Sequence, residues 1–291
     1  MRGRRGITAA LCLLAGCATN RPAPQPHYVL GKPYQAGGVW WYPRDSYDFN
    51  ETGLAAIYPD DHPDLTADGE LFSQSALAAG QPTLQLPSIA QLTNLENGRS
   101  VLVRINDRGT PTPGRLVQVT RRTAELLGME RNAATQVRLT VLPAPTEAAE
   151  EQVGGMPMPR VAAAPQRDVV STMLAPPPGT RQETGRAVVA SSLAAAPASE
   201  LPAGPLPETV TQGTPQPGRL WVRLGSFQSY EYAAIQRAKL SDLPVRIDRA
   251  SESSGERFRV TAGPFGSVAQ ADAALYQAIR GGVPDARIVV E

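Results

Sequence analysis

Val101-Leu102-Val103-Arg104-Ile105 runs directly into Asn106-Asp107-Arg108-Gly109. The first five residues are mostly apolar and rich in β-branched side chains, the pattern of a half-buried strand, and Asp107-Arg108-Gly109 reads as the turn that ends it. Val137 to Leu142 has the same character, and Leu116 to Thr120 repeats it on a shorter scale. Turn signals separate these runs: Asn97-Gly98 before the first, then the Pro111 and Pro113 pair. Thr123 to Leu127 makes one helical turn, ended by Gly128. Short strands at this spacing predict an all-β barrel or sandwich over residues 50–143.

The rest of the chain divides around that unit. A length of 291 residues predicts about two domains. Every Phe, Tyr and Trp lies at or before Phe72 or at or after Trp221. Within the gap, residues 144–218 hold 13 prolines and no strand-like run, which marks a disordered Pro-rich linker. As a coil, its 75 residues would reach about 50 Å. Residues 219–291 read as a second domain with strands at Trp221 to Leu224, Val245 to Asp248, Arg257 to Ala262 and Ala286 to Val290. Helices at Tyr232 to Leu243 and Ala269 to Ile279 complete a β-α-β-β-α-β order, the α+β arrangement of ferredoxin-like folds.

Charge excludes one class of partner. The net charge is +1, and no segment departs from neutrality by more than four charges. Nothing there attracts a polyanion, so no nucleic-acid partner is expected. Two Cys and two His leave any Cys/His metal cluster short of ligands, and no metal or cofactor is expected. His62, beside Asp60-Asp61 and between Pro59 and Pro63, reads as a loop residue, and His27 as part of a solvated spacer.

The two cysteines report an address instead. Arg2, Arg4 and Arg5 precede the apolar run Ile7 to Ala15, too short to span a bilayer and typical of a signal peptide over residues 1–16. Leu14-Ala15-Gly16-Cys17 matches a bacterial lipobox, which makes Cys17 the expected lipidation site and membrane anchor. Residues 17–49 then read as a spacer. Ala18 and Thr19 follow the cysteine without an aspartate, which favours the outer membrane, with the protein facing the periplasm.

Several segments together carry a resemblance. Thr66-Ala67-Asp68-Gly69-Glu70, then Leu92 to Ser100, then Val103 to Gly109 and Ala124 to Gly128, stand in one order over about 110 residues with the leaders Gly31-Lys32-Pro33-Tyr34 and Trp41-Tyr42-Pro43. They resemble the rare lipoprotein A family. The resemblance implies a double-psi β-barrel and a lytic transglycosylase that cuts peptidoglycan glycan strands lacking stem peptides, at the division septum. In such a reaction an acid protonates the glycosidic oxygen. The same group, now a base, takes the proton of the muramic acid 6-hydroxyl as a 1,6-anhydro ring closes. By resemblance Asp107 is that acid and base and Glu70 supports it. Arg104 and Arg108 flank the acid and are candidates to grip glycan or tune it. Where the family carries a histidine, this chain has Gln81, which donates a hydrogen bond but does not titrate. Other departures are Ile57-Tyr58-Pro59 for Trp-Tyr-Gly and Thr110 for a proline followed by an aromatic residue.

Trp221 to Phe227 and Phe258 to Phe265 resemble the two signature segments of a SPOR domain, which implies binding of denuded glycan by the exposed sheet face. Trp221, Arg223, Ser226, Phe227, Arg257 and Arg259 are the candidate glycan contacts, with core packing the competing role for Phe227 and Phe265. Two functions stay open at this point: an endolytic lytic transglycosylase, and a non-catalytic peptidoglycan-binding lipoprotein, the latter because of Gln81. A hydrolytic muramidase is a third, and would need a second carboxylate or base to activate water.

Overall fold

A computed structural model of the chain describes residues 23–155, 206–252 and 255–291. Cys17, the signal segment before it and most of the Pro-rich stretch lie outside the described residues. Among the described residues, no helix is long and apolar enough to cross a membrane.

The first part opens with a hairpin, β1 (Tyr34–Ala36) and β2 (Val39–Trp41). It continues with β3 (Asn50–Ile57), β4 (Ala78–Gly80), β5 (Ser88–Asn94), β6 (Arg99–Asp107), β7 (Val117–Val119), α1 (Arg121–Leu127), β8 (Thr135–Val141) and α2 (Pro143–Gln152). The strands pair in the order β4-β7-β3-β8-β5-β6, and β6 pairs again with β4, which closes a six-stranded barrel. Two pairings, β3 with β7 and β4 with β6, are parallel, as a double-psi barrel requires. Val101, Val103 and Ile105 of β6 are buried in the barrel core, so the alternation read in the sequence faces inward as expected. Burying each such side chain contributes about 1.5–3 kcal/mol. Helix α1 is where the sequence placed it: the Thr120 side chain accepts from the Thr123 N–H, and Gly128 ends the helix with φ +66°.

The C-terminal part holds β9 (Thr211–Gln212), β10 (Leu220–Phe227), α3 (Tyr230–Lys239), β11 (Val245–Glu252), β12 (Gly255–Phe265), α4 (Val268–Arg280) and β13 (Arg287–Val290). From β10 onward the order is β-α-β-β-α-β, and the four strands form an antiparallel sheet β11-β12-β10-β13. Leu220, Val222 and Leu224 of β10 pack with Ala233 of α3 and with Ala271, Ala274, Leu275 and Ala278 of α4, so both helices cover one face. Trp221 and Arg223, at the intervening positions, belong to the other face.

Two segments differ from the sequence reading. Residues 23–49 are no simple spacer: the Gln25 and His27 N–H groups donate to Gly69 and Asp68 carbonyls at 2.9 Å, and Val29 bridges Leu86 in both directions at 2.8 and 2.9 Å. The stretch 144–218 is ordered at both ends. Pro143 occupies the first turn of α2, where its missing N–H costs nothing, and Thr146 Oγ1 accepts from the Ile89 N–H at 2.9 Å. At the other end β9 pairs with β6 (Ser100 opposite Thr211), and the Gln216 N–H donates to Leu95 O at 2.7 Å.

The two parts also touch. Thr52 Oγ1 donates to Val290 O at 2.7 Å and accepts from the Val290 N–H at 3.2 Å. Arg115 makes a bidentate pair with Asp272 at 2.7 and 3.0 Å, and Leu54 and Leu95 join the core of the C-terminal unit.

Candidate active site

Asp107 is the last residue of β6. Opposite it the β4 ladder is irregular: Ala79 pairs with Ile105 but Gly80 pairs with Asp107, which leaves Asn106 as an extra residue. A bulge of this kind bends the strand end and re-aims its side chains.

The Asp107 carboxylate is held by four groups. Oδ1 accepts from the Ala67 N–H at 2.8 Å. Oδ2 lies 3.0 Å from the Tyr58 hydroxyl, the Gly109 N–H and His62 Nε2. Its side chain is 9% exposed and that of His62 is 7% exposed. Burial first, then the charge of Asp107, push the Tyr58 hydroxyl well above the usual tyrosine range, so Tyr58 remains a donor. Gly80 makes room for it, because a Cβ there would collide with the Tyr58 hydroxyl.

The surroundings of His62 fix where protons sit. Nδ1 lies 2.9 Å from the carbonyl of Pro63, which only accepts, so Nδ1 carries a hydrogen. Nε2 lies 3.0 Å from Asp107 Oδ2, within hydrogen-bonding distance. The ring is clamped by Phe72, stacked at 3.9 Å and 27°, and by Tyr58, edge-on at 4.8 Å.

Glu70 is held by side chains of β6. Its carboxylate accepts from Arg104 Nε and Asn106 Nδ2, both at 2.8 Å, and Arg104 Nη2 lies 2.6 Å from it. These contacts tie the turn 66–70 to β6, and the same turn delivers the Ala67 N–H to Asp107. Glu70 is thus a positioning residue, and Arg104 is its partner. Asp68, inside this turn, is fully buried; its Oδ1 accepts from Thr66 Oγ1 and the Glu70 N–H, while Oδ2 has no partner. Burial drives its pKa up to about 6.

Arg108 is not aimed at a ligand. Its Nη2 donates to Leu30 O at 2.7 Å and Val29 O at 3.3 Å, and its Nη1 to the carbonyls of Leu84 and Pro82. It fastens the segment 23–49 to the barrel. Gln81 is buried, and its Oε1 accepts from the Thr83 and Leu84 N–H groups and Thr83 Oγ1, so its carboxamide caps the following turn. Only the Gln81 backbone N–H reaches Asp107, through the aspartate carbonyl at 2.9 Å.

His62 and Tyr58 were missed as site residues. Within the motif order the position of Tyr58 was visible in the Trp-Tyr-Gly comparison; nothing local to His62 linked it to a residue 45 positions away. Among the described residues no group of three His, Cys, Asp or Glu is placed to hold a metal ion.

In the C-terminal sheet the candidates divide. Trp221 is buried with the Arg246 guanidinium 3.7 Å over its ring. Arg223 pairs with Glu51 of the barrel and with Glu291, each at 3.4 Å, and Arg259 reaches Glu291 at 3.5 Å. Arg257 and Ser226 are half-buried. Phe227 and Phe265 are partly buried and pack against the core of the C-terminal unit, the competing role named for them.

Comparison with known proteins agrees with this geometry. The sequence pattern of the lytic transglycolase family matches residues 50–139, and that of the SPOR domain matches residues 216–286. The chain is 31% identical over 255 residues to the endolytic peptidoglycan transglycosylase RlpA of Pseudomonas aeruginosa, covering 84% of this chain and 72% of that protein. It is 33% identical to the Yersinia pestis protein of the same name over 45% of this chain, and 35% identical to the Rickettsia felis one over 42%. Those two matches span about half the length of the relatives, 43% and 55%. With its barrel, its SPOR unit and a relative matched along most of its length, the chain belongs to the RlpA family.

Proposed function

We propose that the chain is an endolytic peptidoglycan lytic transglycosylase that acts on glycan strands without stem peptides and leaves 1,6-anhydromuramic acid ends. The observation that carries this reading is the contact of Asp107 Oδ2 with His62 Nε2 at 3.0 Å, where both side chains are buried. A transglycosylase with one acid needs that acid protonated when the glycosidic oxygen leaves, and the imidazole beside the carboxyl group is placed to exchange a proton with it. Asp107 hands the proton to the leaving oxygen. The resulting carboxylate is met by the N–H groups of Ala67 and Gly109 and the hydroxyl of Tyr58, which hold it oriented. It then takes the proton of the 6-hydroxyl as that oxygen attacks the anomeric carbon and closes the ring, which returns the pair to its starting state.

The competing reading, a lipoprotein that grips glycan without cutting it, rests on Gln81. The Gln81 carboxamide is turned to Thr83 and Leu84, and His62 brings an imidazole to the acid from another loop. The SPOR unit binds the denuded wall in this proposal, a lipid on Cys17 anchors the protein to the outer membrane facing the periplasm, and glycan binding enriches it at the division septum. Incubating the protein with amidase-treated sacculi tests the chemistry. Anhydro ends are released by the native chain and absent with Asp107→Asn; protein that pellets with sacculi and releases nothing refutes it.

A further inference from the structure

A cleft of about 240 Å³ lies between the barrel and the C-terminal unit, and Asp107 is not among its lining residues. One wall is the β1–β2 hairpin with the residue after it, and the facing wall is the start of β13 with the loop before it. The hairpin presents Trp40, 47% exposed, and Tyr42, 54% exposed, into solvent at this cleft. Large aromatic faces left wet on a hairpin that packs by its other residues are platforms for the apolar face of a flat ligand.

The cleft is lined by charges of both signs, Arg44, Arg115 and Arg287 with Glu51 and Asp285, and Arg115 is already paired with Asp272. Arg287 pairs with Glu51 at 3.0 Å, and burial together with the charges of Arg223, Arg44 and Arg259 lowers its pKa from the ordinary arginine value, with Glu51 opposing them. Arg44 and Arg287 both line the cleft. A bound anion there would relieve the repulsion among these guanidinium groups. The volume falls below the roughly 300–1,000 Å³ of a pocket that encloses a compact ligand, which suits a chain that enters and leaves. Gln81 and Thr83 line the inner end of the cleft, next to the strand that carries Gly80 into the active site.

We propose that this cleft is a second glycan subsite, in which a sugar ring stacks on Trp40 and Tyr42 and a carboxylate of the same strand pairs with Arg44 and Arg287. It rests on the reading that the chain acts on peptidoglycan glycan, in which every second sugar carries a lactyl carboxylate. The subsite discriminates carboxylated strands from uncharged ones of the same backbone, and it is made of both domains.

The test measures binding to the full chain carrying Asp107→Asn, which keeps the glycan intact. The probes are a stem-peptide-free octasaccharide of alternating N-acetylglucosamine and N-acetylmuramic acid, and the chitin octasaccharide, which lacks the carboxylates. The full chain binds the carboxylated octasaccharide at least tenfold more tightly. Trp40→Ala with Tyr42→Ala weakens both probes by tenfold or more, and Arg44→Gln removes most of the preference while leaving chitin binding within twofold. Equal affinity of the two probes for the unsubstituted cleft, or affinities unmoved by these changes, overturns the subsite. If the double aromatic variant melts early, Arg44→Gln alone decides through the preference ratio. Cleavage of sacculi by the Asp107 protein with the cleft variants is read separately, so failure of the subsite and failure of the catalytic reading are told apart.

Discussion

The barrel site and the C-terminal sheet use the same residue types in opposite ways. At Asp107 the polar groups are wired to completion: four donors meet one carboxylate, Glu70 is fixed by Arg104 and Asn106, and Arg108 spends its guanidinium on backbone carbonyls. On the sheet, Arg223, Arg246 and Arg259 share Glu291 at distances from 3.4 to 3.9 Å, and Arg223 also shares Glu51. Short bonds to buried groups hold a reacting atom in place, whereas long, half-exposed ion pairs exchange readily for a ligand's carboxylate. One region is built to keep its geometry and the other to give up its contacts.

The sharpest break between them is expected at the acid. Asp107→Asn lowers the rate of anhydro-end formation by at least about 10³-fold, close to 4 kcal/mol of barrier, with pelleting on denuded sacculi unchanged. His62→Gln comes next, at about 10²-fold in turnover, because it removes the imidazole that sits against the acid. Gln81→His gives no gain, since a ring there loses the cap on Thr83 and Leu84; a recovered rate in that variant would return catalysis to position 81. Both are read by quantifying anhydro ends under saturating sacculi.

The wiring of the barrel has a cost that stability measurements can expose. Asp68 has its pKa raised to about 6 from an ordinary value near 4, so its contribution is fully present in acid and is lost as pH rises through 6. Asp68→Asn keeps the Oδ1 contacts and loses no partner at Oδ2, and it stabilises the fold by about 2–3 kcal/mol at pH 7.5 and not below pH 4. Thermal melts at the two pH values check it; a gain of equal size at both excludes a titrating origin. The smallest effect belongs to the sheet. Glu51→Gln loosens Arg223 and Arg287, changes stability by less than about 1 kcal/mol, and raises affinity for denuded glycan a few-fold. A large loss of stability there would show that the sheet is as rigidly wired as the barrel.

The sequence was most informative where structure is local. The β6 run, the turn ending at Gly109, the α1 turn stopped by Gly128 and the β-α-β-β-α-β order all follow from periodicity and turn residues within a dozen positions. The site was legible as far as Asp107 and Glu70 share one motif order. His62 was not, because its meaning arises from a contact made across 45 residues by a loop whose own composition says only Pro, Asp and turn. Arg108 misled for a related reason: beside an acid it reads as an electrostatic partner, and the carbonyls that claim it come from residues near 30 and 84. Residues 23–49 looked like spacer since they carry Pro and Gly and no periodic run, yet their hydrogen bonds are made to distant backbone.

The two ends of the Pro-rich stretch have a consequence for how the protein is regulated by its own length. Helix α2 lies against β5, and β9 is paired to β6, so the chain leaves the barrel and returns to it before entering the C-terminal sheet. Both ends are thus fastened to the barrel. Inserting or deleting between them changes a closure entropy that grows only as the logarithm of length. The separation of the catalytic acid from the sheet is instead set by Gln216 on Leu95, Thr52 on Val290 and Arg115 on Asp272. The spacing of the barrel site and the sheet is therefore set by contacts between the two units and not by the length of chain that joins them.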